Sequence, residues 1–413
     1  MNLISLVWNY LKARPLNTVL NIFLLALGIA VITVLLLFNN QLQEKISSNA
    51  KGIDLVVGAK GSPLQLILCN IFHVDFPTGN IKLSEAEKVI RHRMVKKAIP
   101  LALGDSYNGY RIVGTNHVYP GLYNAAIQQG DWWKNDLDVT IGSTVAELSG
   151  LKIGDTFASA HGLSTDGHDH EENLYKVTGI LNQSNTIIDN LILTNIESIW
   201  RVHAETHDTI AKTASVPGNP SALVPSIEAG DSIREITSLL IQYRNPLAVI
   251  QLPRFINSNS NLQAASPAYE TARLFSILGV GVEVIRGFAL VLIFISGLSI
   301  FIALYNSLKE RQYDLAIMRS MGASRNKLFI TIVMEGSILT LLGSIAGLAL
   351  GHGVLWIFTI MVEESQKAGV SATVFYAAEG YILAGGLVLG ILCSLIPAIQ
   401  AYRTDIHKVL AGN

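Results

Sequence analysis

Five of the ten histidines, His161, His168, His170, His203 and His207, fall in two short tracts of the chain beside Asp166, Asp169, Glu171, Glu172 and Glu205. Imidazole and carboxylate donors at such density are the ligand types of Zn(II) and similar ions. If IESIWRVHAETHD is helical, His203 and His207 share one face, the usual way two imidazoles meet one metal. The plainer reading is a solvated insertion, since a tract of Gly, Ser, Asp and His needs no metal to be soluble, and the sequence favours it. Zinc in this region is therefore carried as an expectation on those five histidines.

Other chemistry is poorly provided for. No G-x-x-x-x-G-K-[ST] run exists to cradle nucleotide phosphates, and there is no G-x-S-x-G elbow. His170-Glu171-Glu172-Asn173 lacks the second histidine of a zinc-protease helix, and in His203-Ala204-Glu205-Thr206-His207 the acid is misplaced. A catalytic role and a cofactor bound by this chain are both disfavoured. Cys69 and Cys393 offer no disulfide framework.

The elements that would position these groups are set by composition. Half of the 413 residues are apolar, only 15% are charged, and the mean hydropathy is +0.40. Such a chain is partly embedded in a membrane. The net charge of -1 and pI near 6.8 give no clustered basic surface for nucleic acid. Four stretches reach the roughly 20 apolar residues a bilayer requires: 19–38, 284–308, 328–361 and 381–401. The first is too long for a signal core and is read as an uncleaved anchor.

Lys12 and Arg14 precede the first stretch without an acid, and Lys309, Arg311, Arg319, Arg325 and Lys327 dominate 309–327. The positive-inside bias puts 1–18, 309–327 and the tail 402–413 in the cytoplasm, with 39–279 and the short loop 362–380 outside. Within the outer block YRIVGT, DVTIGS, YKVTGIL and NLILTN read as strands, and GIDLVVGAKGSPLQLILCNIFHVDF as strands and turns. LSEAEKVIRHRM reads as a helix capped by Ser84, and a helical stalk from 267 leads to the second span. The expected fold is therefore four membrane helices with a large α+β domain inserted between the first and second.

Two features within this frame invite a mechanical reading. DLAIMRSMGASRNKLF carries Leu315, Ile317, Met318 and Met321 as an apolar strip with Arg311, Arg319 and Arg325 around it, and Gly322 at a turn. Such a segment either lies on a membrane surface or docks in a groove of a partner. Gly343, Gly347 and Gly351, and likewise Gly386 and Gly390, recur at four-residue spacing, which lets helices approach closely. Packing within one subunit is favoured over a dimer contact. Glu335 is an acid inside the third span, where a carboxylate is costly enough to suggest a role.

The order of one span, an outer domain and three spans, together with DLAIMRSMGASRNKLF, TIGSTVAELSGLKIGDTF, YKVTGIL and DNLILTN, resembles the permease subunits of the MacB/FtsX class of ABC transporters, which includes the lipoprotein-releasing permeases. The resemblance covers essentially the whole chain; the histidine-bearing insertion at 161–173 departs from it. It implies a non-catalytic subunit in the bacterial inner membrane, two copies of a cytoplasmic ATPase that uses the ATP, and a second permease copy. A periplasmic or lipoprotein partner is a further implication. It also implies mechanotransmission, in which ATPase closure moves the outer domains to export or extract a substrate. A metal-linked transporter or metal-sensing export permease, and a membrane-anchored receptor or scaffold without ATPase coupling, are the alternatives.

Overall fold

A computed structural model describes residues 3–161, 173–203, 234–361 and 371–403. The chain divides into two compact units: Gln43–Ile277, and Met1–Leu42 together with Leu278–Asn413.

Among the described residues four helices are long and apolar enough to cross a membrane: α2 (Pro15–Asn49), α9 (Pro267–Glu310), α11 (Arg325–Met361) and α12 (Ala377–Arg403). Each contains one of the apolar stretches found in the sequence. The expected stalk and second span form a single 44-residue helix, unbroken at Gly279, Gly281 and Gly287. Each helical glycine costs about 1 kcal/mol against alanine, an amount the surrounding Leu, Ile and Val can absorb in an apolar medium. A short amphipathic helix, α1 (Leu3–Ala13), precedes α2 and buries Val7 and Leu11 against Leu25, Ile29, Ile300 and Leu339.

In the other unit the described residues form an 11-stranded mixed sheet. Strand β1 (Leu55–Ala59) lies between β13 (Leu262–Ala265) and β12 (Ser238–Tyr243), and β12 pairs with the long β3 (Val95–Tyr107). The sheet continues through β4 (Tyr110–Gly114), β10 (Leu191–Thr194), β6 (Asp138–Ile141) and β9 (Tyr175–Leu181). Side chains alternate across it as the period of two requires. Leu55, Val57, Leu239 and Ile241 enter one core with Leu252 and Ile256 of α8 (Ala248–Asn259), while Val56 and Leu240 enter the other with Ile67 and Tyr119.

Two local expectations are corrected. Residues expected to be strands and turns include a helix, α3 (Pro63–Asn70), because Ser62 accepts from the Gln65 amide and Pro63 stands where no donor is needed. Helix α4 begins at Leu83 with Lys82 before it, so Ser84 lies inside the first turn and does not cap. Both changes leave the fold class intact.

Candidate coupling site

The segment between α9 and α11 folds as a short helix, α10 (Gln312–Ser320), entered through the non-helical Arg311. It ends in a Schellman arrangement: the Ala323 amide donates to Met318 O and the Gly322 amide to Arg319 O. This ending requires a left-handed residue, and Gly322 has φ of +96°. Ser324 then caps α11 by accepting from the Lys327 amide. The expected turn at Gly322 is thus a defined corner in which the Met318 and Arg319 carbonyls are satisfied.

Arg311 turns inward at that corner. Its Nη1 lies 3.6 Å from Glu335 Oε1, and both side chains are largely buried. Its guanidinium carbon sits 3.9 Å from the Tyr10 ring centroid, and Nη2 donates to Tyr10 O. One turn away, Arg14 pairs with Glu310. A cavity of about 20 Å³ between Tyr10, Ser307, Arg311, Thr331 and Glu335 leaves room for about one water. The acid singled out from the sequence therefore has a named counter-ion, and Arg311 is committed to it.

The apolar strip splits between two faces. Leu315 is buried with Leu308, Leu328, Ile332, Ala398 and Ala401, and Met318 packs against the same cluster. Met321 is 75% exposed and Tyr313 60%, with Ile317 half-buried between them. Positions 313, 317 and 321 follow the four-residue spacing of one helix face. The outward stripe is thus Tyr313–Ile317–Met321, and Leu315 is an inward anchor. Arg319 is half-buried and Arg325 exposed. Sequence reading missed Tyr10, Arg14, Glu310 and Tyr313; the spacing of Tyr313 from Ile317 was a usable signal for one of them.

The small residues lie at helix contacts inside this unit. A Cβ on Gly347 would fall 2.6 Å from the Cβ of Ile29 and 2.9 Å from Ala26 O, and Gly343 and Gly351 face Leu25 and Thr33 in the same way. Gly386 and Gly390 meet Ser344, Thr340 and Gly336 of α11. Elsewhere, the ring of His352 stacks on Phe375, its Nδ1 donates to Ala372 O at 2.6 Å, and its Nε2 is 3.1 Å from Glu379 Oε2.

In the α+β unit His203 Nε2 lies 3.5 Å from the buried Asp105, whose Oδ2 accepts from Ser159 Oγ at 3.2 Å. The backbone of His161 pairs with that of Asp105. His168, His170 and His207 lie outside the described residues. Among the described residues no three His, Cys, Asp or Glu side chains gather closely enough to hold a metal ion. Asp105 was invisible to the sequence argument, because only the pairing of distant strands brings it to His203.

Residues 18–230 match the MacB-like periplasmic core domain family, and residues 286–406 match the FtsX-like permease C-terminal family. The macrolide export ATP-binding/permease protein MacB of Hyphomonas neptunium is 28% identical over 35% of this chain and 20% of its own length. An uncharacterized ABC transporter permease of Methanocaldococcus jannaschii, MJ1507, is 22% identical over 58% of this chain and 55% of its own. The probable syringafactin export protein SyfD of Pseudomonas syringae pv. tomato is 24% identical over 30% and 18%. The matches thus span from under a fifth to just over half of these relatives. The crystallised periplasmic region of MacB from Actinobacillus actinomycetemcomitans is similar at 10% identity and a TM-score of 0.32, over 56% of this chain and 97% of that one.

Proposed function

This chain belongs to the ABC-transporter permeases that join a MacB-like periplasmic core domain to an FtsX-like C-terminal domain, and we propose that it converts ATP hydrolysis by a separate subunit into motion of that core domain. Two copies of a cytoplasmic ATPase would act on two copies of the permease in the inner membrane. The distribution of Lys and Arg supports cytoplasmic termini and a cytoplasmic α10.

The observation that carries this reading is the two-faced α10. Its outward stripe, Tyr313–Ile317–Met321, presents apolar anchors at the spacing a groove-bound helix uses. Its inward side is fixed to the bundle by Leu315 and by Arg311–Glu335, so a push on the stripe moves packed helices rather than a loose loop. The 44-residue α9 runs from that corner to Pro267 at the edge of the core domain. The cargo proposed is amphiphilic and periplasmic or membrane-derived. Export is in the names of two of the relatives, whose cargoes are a macrolide and syringafactin.

Co-purification tests the reading. Wild-type chain solubilised from its native membrane should retain a nucleotide-binding subunit that the Tyr313→Asp, Met321→Asp chain loses. Equal retention by both would remove the stripe from the docking surface, and no ATPase with either would favour a receptor or scaffold. A metal-linked permease is the second reading and draws on His203 beside Asp105. Purified chain without bound zinc after dialysis against micromolar zinc would dismiss it.

A further inference from the structure

Helices α1 and α2 follow one another in sequence but not in direction. Pro15 has no amide to offer the Leu11 carbonyl, and the Thr18 hydroxyl donates to that oxygen instead at 2.9 Å. Contacts between α2 and α11, in the same unit, show where α1 goes. Leu25 faces Gly343, Ile29 faces Gly347 and Thr33 faces Gly351, so these two helices advance residue for residue. Carried back along a straight α2, that register would set Val7 level with Arg325, at the start of α11. Val7 instead joins the cluster of Leu304 and Leu339 rather than that of Leu328 and Ile332. Leu339 lies roughly 20 Å further along α11, at about 1.5 Å per residue. Helix α1 therefore turns away from the axis of α2 and crosses the bundle near Glu335, where Arg311 donates to Tyr10 O.

Around α1, at about 100° per residue, the side chains fall into sectors. Val7 and Leu11 are buried in the bundle. Ser5, Asn9 and Lys12 form an exposed polar sector on the far side. Ile4 and Trp8 lie on the flank between these two, 60% and 45% exposed, and the Lys12 ammonium is 5.5 Å from the Trp8 ring centroid. On the opposite flank the Tyr10 ring covers Arg311. A helix with a core on one side, water on another and bare apolar side chains between them has the pattern of one lying in a membrane interface.

Continuity supplies the occupant of the bare flank. The first turns of α2 expose Leu16 at 79%, with Val19, Leu20 and Phe23 also exposed. Helix α2 is long and apolar enough to cross a membrane, so acyl chains are the surroundings that suit this face. The charge fits as well. Glu44 is the first acid of the chain, so Lys12 and Arg14 meet no carboxylate on their own segment, and Arg14 is paired with Glu310. Lys12 can reach headgroup phosphates along its aliphatic stem, beside an indole at the depth that Trp favours.

We propose that α1 is an interfacial helix of the bilayer: Ile4 and Trp8 enter the boundary between headgroups and acyl chains, and Lys12 turns to the headgroup phosphates. The same helix holds the α9–α10 corner, through Tyr10 on Arg311 and Arg14 on Glu310. Seating in the leaflet thus braces that corner. This role needs the membrane helices and no ATPase, so it can fail while the docking of α10 holds, and the reverse.

The full chain in nanodiscs of phosphatidylcholine and phosphatidylglycerol tests it, with a photoreactive benzophenone side chain replacing Trp8, Asn9 of the polar sector, or Phe23 of the span. On irradiation the Trp8 site should gain the mass of one phospholipid at about the yield of the Phe23 site, and the Asn9 site about tenfold less, the asymmetry of an amphipathic helix seated in the interface. A Trp8 yield no higher than that of Asn9, or cross-linking of the Trp8 site to a second copy of the chain, overturns the proposal. Hydrogen exchange reads the brace: Ile4→Ser with Trp8→Ser should raise exchange several-fold in the peptide spanning 310–318, and Asn9→Ser should leave it as in wild type. Unchanged exchange in the Ile4→Ser, Trp8→Ser chain overturns the bracing role.

Discussion

Arg311 and Glu335 stand 24 positions apart in sequence and 3.6 Å apart in space, buried together under the ring of Tyr10. The pair fastens the start of α10 to the side of α11. Breaking a largely buried pair from one side strands the other charge, at a cost of about 3–5 kcal/mol, whereas an apolar pair of similar volume can be neutral. Arg311→Met and Glu335→Leu should each lower the melting temperature of the purified chain, and the double substitution should recover most of the loss. Additive losses would mean the two groups are not coupled.

Tyr313 and Met321 point away from the bundle, so replacing them should separate docking from folding. Tyr313→Asp and Met321→Asp should leave thermal stability within about 0.5 kcal/mol of wild type, as exposed substitutions do. Leu315→Asp should unfold this part of the bundle instead, because Leu315 is buried among Leu308, Leu328 and Ala401. Melting curves of the three variants check the assignment of faces.

Gly347 is where α11 meets α2 most tightly. A methyl group there would sit 2.6 Å from the Ile29 Cβ, with backbone oxygen of Ala26 just behind, so Gly347→Ala should cost about 1–3 kcal/mol through overpacking. Gly353, two turns along, has nothing within 4 Å of the same position, and Gly353→Ala should be neutral or slightly stabilising. Comparing their melting temperatures isolates helix contact from helix propensity.

Burial in the core domain pushes the His73 imidazole from its ordinary 6.5 down to about 3, with the Arg111 charge adding to the effect. Its Nε2 shares a hydrogen bond with Tyr119 at 2.8 Å. A base whose folded pKa is depressed stabilises the fold fully above pH 6.5 and loses that contribution as pH falls toward 3, because the unfolded chain takes up the proton first. The slope approaches about 1.4 kcal/mol per pH unit in that window. His73→Gln should flatten core-domain melting between pH 6 and about 4; an unchanged slope would mean His73 is protonated in the fold.

Much of this architecture was legible because it rests on local periodicity. Uninterrupted apolar runs gave α2, α9, α11 and α12, and alternation gave β4, β6, β9 and β10, since each pattern needs only the residue's own neighbours. Helix α3 was not legible: Pro63 and the flanking glycines look like turn punctuation until the Ser62 cap is seen. Faces within α10 were harder still, because Leu315 and Met321 are equally apolar and only packing against α11 and α12 decides which is hidden. Arg311 was likewise indistinguishable from its exposed neighbours until Glu335 was found beside it. His203 gained its neighbour Asp105 from strand pairing, which no spacing rule reports.

If the outward face of α10 receives force from an ATPase, removing its anchors must uncouple hydrolysis from the permease. The most direct measurement is ATP hydrolysis by the native assembly reconstituted in nanodiscs, with wild-type chain and with the Tyr313→Asp, Met321→Asp chain, alongside recovery of the nucleotide-binding subunit. The variant should retain its fold, lose the subunit and lose permease-dependent hydrolysis. A folded variant that keeps both would contradict this role of α10.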